Sequence, residues 1–146
     1  MKSFNLPPNY FYLLIILSVA IKFIFPIGKF IEFPYILIGI LVMFLGLFLI
    51  GWTYKLFVKN KTPENFSKSK AVVTEGPYRF SRNPMYIGAI LFLIGLSILL
   101  GNYIAFICPI ILFFILNEFA RFEEKKMEKE LGKKYLAYKK KVRRWI

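Results

Sequence analysis

Histidine is absent from the 146 residues, and cysteine occurs once, as Cys108. The commonest zinc and iron ligand is therefore missing. A single thiol allows no internal disulfide and no cysteine metal cluster. These absences argue against metal catalysis and against any histidine base. Acidic side chains are also few, 8 against 21 Lys and Arg, which gives a formal net charge of +13. Such a surplus raises nucleic acid as a partner, but no aromatic-basic recognition module accompanies it, so none is expected. Repeats and low-complexity tracts are lacking too.

Apolar residues are what the chain has in quantity. They make up 58% of it, with a mean hydropathy of +0.56, well above the level of soluble domains. Crossing a hydrocarbon core takes about 20 apolar residues in helix. Residues 35–57 meet that length, with only Lys55 charged. Residues 10–25 are apolar apart from Lys22, which lies near an end and can extend its ammonium to the interface. Ser18-Val19-Ala20 resembles a small-x-small cleavage site, but the apolar run continues to Phe25, so a span is the better reading than a signal peptide. Residues 85–100 and 103–116 carry no charge and are parted by Gly101-Asn102, a turn signal that predicts a helical hairpin.

The expected fold is therefore all-α, a single domain over 1–146 forming an integral membrane bundle of about four transmembrane helices. Pro7-Pro8-Asn9 opens the first span, and Pro26, Gly28 and Pro34 punctuate the next connection. Gly39 and Gly46, and likewise Gly88 and Gly95, fall on one helix face, where small residues let helices approach closely in lipid. Lys61-Thr62-Pro63-Glu64-Asn65 reads as a turn in a hydrophilic loop, with Ala71-Val72-Val73 a brief apolar return. Beyond Leu116, Met127, Leu131, Tyr135, Tyr138 and Val142 recur at helical spacing among lysines. That pattern predicts an amphipathic C-terminal helix lying on the headgroups, with Gly132 able to break it in two.

Cations are distributed unevenly. Six of the 21 lie within residues 59–82 and eleven from Arg121 onward. With four crossings, Lys2 and Lys55 join that side and only Lys22 and Lys29, with Glu32, remain opposite. This is the positive-inside pattern, and it puts both termini and the central loop on the cytoplasmic side, facing membrane lipids.

Chemistry concentrates at Gly76-Pro77-Tyr78-Arg79-Phe80-Ser81-Arg82-Asn83-Pro84-Met85-Tyr86-Ile87-Gly88 and at Arg121-Phe122-Glu123-Glu124. Gly76-Pro77 forms a turn, Pro84 suits a helix start, and Asn83 stands where it can cap that helix. Taken alone, Arg79 and Arg82 read as headgroup anchors, and Glu123 and Glu124 as partners of nearby lysines. Glu118, at the membrane boundary, calls for a partner such as Arg121. The hairpin changes the balance, because it returns Arg121–Glu124 to the membrane face where the first motif begins. Converging cations and carboxylates suit a zwitterionic cofactor.

These motifs, together with Leu131-Gly132-Lys133-Lys134-Tyr135-Leu136-Ala137-Tyr138, resemble the integral membrane methyltransferases. That superfamily includes isoprenylcysteine carboxyl methyltransferases and phospholipid N-methyltransferases. The resemblance covers residues 71–146. It implies S-adenosylmethionine as methyl donor and a lipid-like or prenylated acceptor entering from the bilayer. Carried over by position, Tyr78, Arg79, Arg82, Asn83, Pro84, Tyr86, Gly88, Glu123 and Glu124 are the implied cofactor-binding residues. Arg82, Asn83 and Glu124 are the implied catalytic positions, and no metal enters. The family often has His where this chain has Asn83, and Asn cannot titrate near neutral pH. The rival reading is a non-enzymatic anchor or partner subunit with a basic headgroup-binding tail. A transporter is disfavoured because no charge lies mid-bilayer.

Overall fold

A computed structural model describes residues 7–25, 33–60 and 72–146. Pro26, Gly28, the turn expected at 61–65, Ala71, and the charges of Lys2, Lys29 and Glu32 lie outside the described residues. Five α-helices account for most of the rest: α1 (Pro7–Ile24), α2 (Ile36–Asn60), α3 (Pro84–Leu100), α4 (Ile107–Leu131) and α5 (Lys133–Lys141). Short 3-10 turns at Gly76–Arg79 and Tyr103–Phe106 precede α3 and α4. Among the described residues, three helices are long and apolar enough to cross a membrane, namely α1, α2 and α4 with its leading turn. α3 is equally apolar but has only 17 residues, roughly 26 Å at helical rise.

α2 lies against α3 along the four glycines that the sequence places at helical spacing. A Cβ on Gly95 would stand 2.5 Å from the backbone nitrogen of Met43, and one on Gly46 would stand 2.6 Å from the carbonyl of Gly88. The backbones meet at contact distance, which leaves no room for a side chain at these glycines. On the other side of α3, a core of Leu14, Leu93, Leu96, Cys108, Leu112 and Leu116 joins α1, α3 and α4. Large apolar residues such as Phe23, Phe44, Phe48 and Phe114 are exposed outward, the arrangement lipid requires.

The hairpin forms as the Gly101-Asn102 pair predicts. Gly101 ends α3 with φ 64°, a left-handed conformation that glycine adopts without steric penalty. The Asn102 amide donates to the carbonyl of Phe25 at 3.0 Å, and its Oδ1 accepts from the Ile104 N–H at 2.9 Å. Ser97 and Ala105 close the bend through a 3.1 Å hydroxyl-to-carbonyl bond. α4 thereby runs back along α3, and its charged end reaches the start of α3. At the boundary Arg121 pairs with Glu118 at 2.9 Å, the partner that carboxylate was expected to need. Ser18 lies inside α1, its hydroxyl donating to Leu14 at 2.8 Å.

Candidate functional site

One end of the bundle gathers the end of α2, the turn before α3, the end of α4, and α5. A cavity of about 350 Å³ lies there, lined by Phe57 and Asn60 of α2, Val72 and Val73, Tyr78, Arg82 to Tyr86, Glu123, Glu124, Lys126 and Met127 of α4, and Tyr135 and Tyr138. That volume is within the range of small-molecule sites. Its wall is apolar on the α2 side and charged on the α4 side.

Glu124 is the electrostatic centre. It is 4% exposed and makes an ion pair with Arg82 Nη2 at 3.2 Å. Arg144 approaches it with both arms, Nε to Oε1 at 2.7 Å and Nη2 to Oε2 at 3.0 Å. Lys139 Nζ stands 3.8 Å from Oε2. Two guanidinium groups thus share one buried carboxylate, and the hydrogen bond to Glu124 leads the causes that raise the Arg144 pKa. Arg82 itself is 9% exposed, and its Nε and Nη1 are buried with no hydrogen-bond partner among the described residues. Each buried donor left unpaired costs about 1–3 kcal/mol, a cost that an acceptor reaching this edge would relieve.

Glu123, next along α4, accepts from the Tyr86 hydroxyl at 2.8 Å. Burial first, then the nearby Glu123 charge, pushes Tyr78 up from 10.0 to about 12. Burial also leads in raising Tyr135 to about 12, with Glu124 next. These phenols stay protonated near neutral pH and line the cavity wall.

The turn at Gly76–Arg79 packs on α2, since a Cβ on Gly76 would meet Leu56 Cδ1 at 2.9 Å. It is held from the other side by the Tyr138 hydroxyl, which donates to the Tyr78 carbonyl at 2.7 Å. Tyr135 and Tyr138 are 4% and 8% exposed. The buried face of the amphipathic helix is thus turned to protein at these two tyrosines. Packing against the motif gives the Tyr138 hydroxyl a backbone acceptor, which a headgroup location would not. Gly132, with φ 52°, does divide the helix into α4 and α5.

One correction concerns Asn83. It occupies the position before α3, but its side chain makes no capping bond. Its amide donates instead to the Arg144 carbonyl at 3.3 Å, because the C-terminal segment passes close by. The Ser81 hydroxyl donates to the same carbonyl at 3.0 Å, and the Arg82 N–H donates to the Arg143 carbonyl at 3.0 Å. Tyr78, Arg82, Asn83, Pro84, Tyr86, Glu123 and Glu124 are brought to one cavity. Arg79 is not among its lining residues. It is exposed and borders a separate groove with Thr74, Lys134 and Lys141. Gly88 sits in the α2–α3 seam, where a Cβ would lie 2.8 Å from the Gly46 carbonyl.

A family model for phospholipid methyltransferase matches residues 34–134. The chain belongs to that family. Over 126 residues it is 25% identical to protein-S-isoprenylcysteine O-methyltransferase of Schizosaccharomyces pombe, an alignment covering 86% of this chain and 52% of the relative. The chain thus spans about half the length of that protein. A 64-residue stretch, 42% of this chain, is 41% identical to the full length of an uncharacterized protein of Haemophilus influenzae. No solved structure matches. Family and relative together place this membrane protein among the membrane methyltransferases.

Reading the sequence alone overlooked Arg144, which it counted with the basic tail. A signal was present: after Glu124 the cations are Lys up to Lys141 and then Arg143 and Arg144. Arginine has the planar fork that lysine lacks, so a switch to it marks a shaped carboxylate partner.

Proposed function

We propose that the chain transfers a methyl group from S-adenosylmethionine to a lipid-like or prenylated acceptor at the cytoplasmic membrane face. The observation that carries this reading is that Arg82, whose Nε and Nη1 are buried without a partner among the described residues, lines a cavity that Glu123 also lines. An amino-acid zwitterion presents a carboxylate and an ammonium, and those two side chains offer the complementary pair. Arg82 holds the carboxylate and Glu123, oriented by Tyr86, holds the ammonium or a ribose hydroxyl. Glu124 positions Arg82, Asn83 ties the motif to the tail, and Tyr78, Pro84 and Tyr135 shape the wall.

When bound, the cofactor would supply an electrophilic methyl on a sulfonium, to be taken by the acceptor's lone pair while the carbon–sulfur electrons stay on sulfur as a neutral thioether. The protein's part is alignment and exclusion of water, and positioning of reactants can lower a barrier by about 7–11 kcal/mol. Proton abstraction is poorly provided for. The phenols Tyr78 and Tyr135 are held protonated, Glu118 is exposed and paired with Arg121, Glu124 is engaged by two guanidiniums, and Glu123, which accepts from Tyr86, is given to the cofactor in this reading. An acceptor that arrives deprotonated, such as a carboxylate, suits these residues best. The apolar wall of Phe57, Val72, Val73 and Met127 suits its hydrocarbon portion, and the excess of cations near the site suits the cytoplasmic leaflet.

The test is incubation of purified protein with methyl-labelled S-adenosylmethionine and total membrane lipid extract. Label is expected in an organic-soluble product, and base-labile release of methanol would identify a methyl ester. Absence of transfer to lipids and to prenylated cysteine peptides alike would count against the reading.

A further inference from the structure

We infer that Arg144 is a positioning residue for this cavity, acting by occupying Glu124 so that Arg82 cannot. The inference rests on the cofactor reading above. Arginine and carboxylate prefer a two-point, fork-to-fork pairing. Glu124 gives that geometry to Arg144, at 2.7 and 3.0 Å, and leaves Arg82 a single contact through Nη2 at 3.2 Å. The Nε and Nη1 of Arg82 have no partner among the described residues. Without the Arg144 side chain, Arg82 is free to close onto Glu124 with both arms, and the anion-binding edge is then consumed within the protein. Two guanidiniums on one carboxylate also leave the cluster net positive, which favours an incoming carboxylate.

The backbone of the tail is held independently of that side chain. The Arg144 carbonyl accepts from Ser81 and Asn83, and the Trp145 indole N–H donates to Asn117 Oδ1 at 3.3 Å. The Trp145 ring lies 5.0 Å from that of Phe113. Substituting the side chain therefore leaves the tail docked, and Trp145 reports its docking.

The experiment compares Arg144→Gln and Arg144→Lys in a Trp52→Phe background, so that Trp145 is the sole tryptophan. Calorimetry measures binding of S-adenosylhomocysteine and of 5′-methylthioadenosine, which lacks the amino and carboxylate groups. Losing a charged hydrogen bond to the ligand carboxylate predicts about a tenfold or greater weakening for S-adenosylhomocysteine in Arg144→Gln. Binding of 5′-methylthioadenosine and Trp145 emission should be unchanged. Arg144→Lys, with charge but no fork, should fall between. Equal weakening of both ligands, or wild-type affinity in Arg144→Gln, would overturn the inference. Failure of the unsubstituted protein to bind S-adenosylhomocysteine would instead remove the cofactor reading and the inference with it.

Discussion

The start of α3 is held by two unlike contacts, the glycine seam with α2 and the polar junction with α4 and the tail. In the seam, backbone meets backbone, with built Cβ positions 2.5–2.8 Å from main-chain atoms at Gly46, Gly88 and Gly95. At the junction, side chains from residues far apart in sequence share a single buried carboxylate. The seam fixes where the motif stands; the junction fixes what its groups can bind. Damage to the first should therefore cost the fold, and damage to the second should cost ligand affinity in a protein that remains inserted.

The largest expected effect follows from filling the seam. Gly95→Leu would force a side chain onto Met43 N and the Gly39 carbonyl, and overpacking of even a few methylenes costs about 1–3 kcal/mol. Rigid backbone neighbours put this case at or above that range. The variant is expected to unfold at markedly lower temperature in detergent and to lose ligand binding with it. A wild-type melting curve would mean that the seam is looser than the structure has it.

A smaller effect is expected at the junction under alkali. Tyr78 and Tyr135 are raised from 10.0 to about 12, burial being the first cause in each. A raised folded pKa means their contribution to stability is complete below pH 10 and declines as pH rises toward 12. Melting temperatures measured across that window should fall, and Tyr78→Phe should reduce the fall. An identical decline in Tyr78→Phe would show that other groups govern it.

The smallest effect marks the edge of the seam. Gly51 lies in α2 with nothing within 4 Å of a built Cβ, so Gly51→Ala should be neutral or stabilise by roughly 0.5–1 kcal/mol. Destabilisation comparable to that of Gly95→Leu would blur the distinction between the two glycine positions.

The two regions also differ in how far the sequence disclosed them. Gly39, Gly46, Gly88 and Gly95 announce the seam because helical spacing maps directly onto a face, and Gly101-Asn102 announces the hairpin because glycine tolerates the left-handed turn. The spans follow from length and composition in the same way. The junction was legible only in part. Arg82 and Glu124 could be expected near each other once α4 doubled back, but nothing periodic relates Arg144 to Glu124 across the break at Gly132. Asn83 shows the same limit, since its local position favours a cap and only the passing tail explains why its amide turns elsewhere. Tyr135 and Tyr138 fit an amphipathic stripe equally well on headgroups or on protein, and the partner decides.

The central claim is that Arg82, and not its neighbour Arg79, presents a shaped cation to a cofactor carboxylate. Titration of S-adenosylhomocysteine into Arg82→Lys and Arg79→Lys tests it most directly, because a headgroup anchor needs only charge whereas a shaped carboxylate site needs the fork. The account predicts one binding site that is lost or greatly weakened in Arg82→Lys and retained in Arg79→Lys. Equal affinity in the two variants would contradict it.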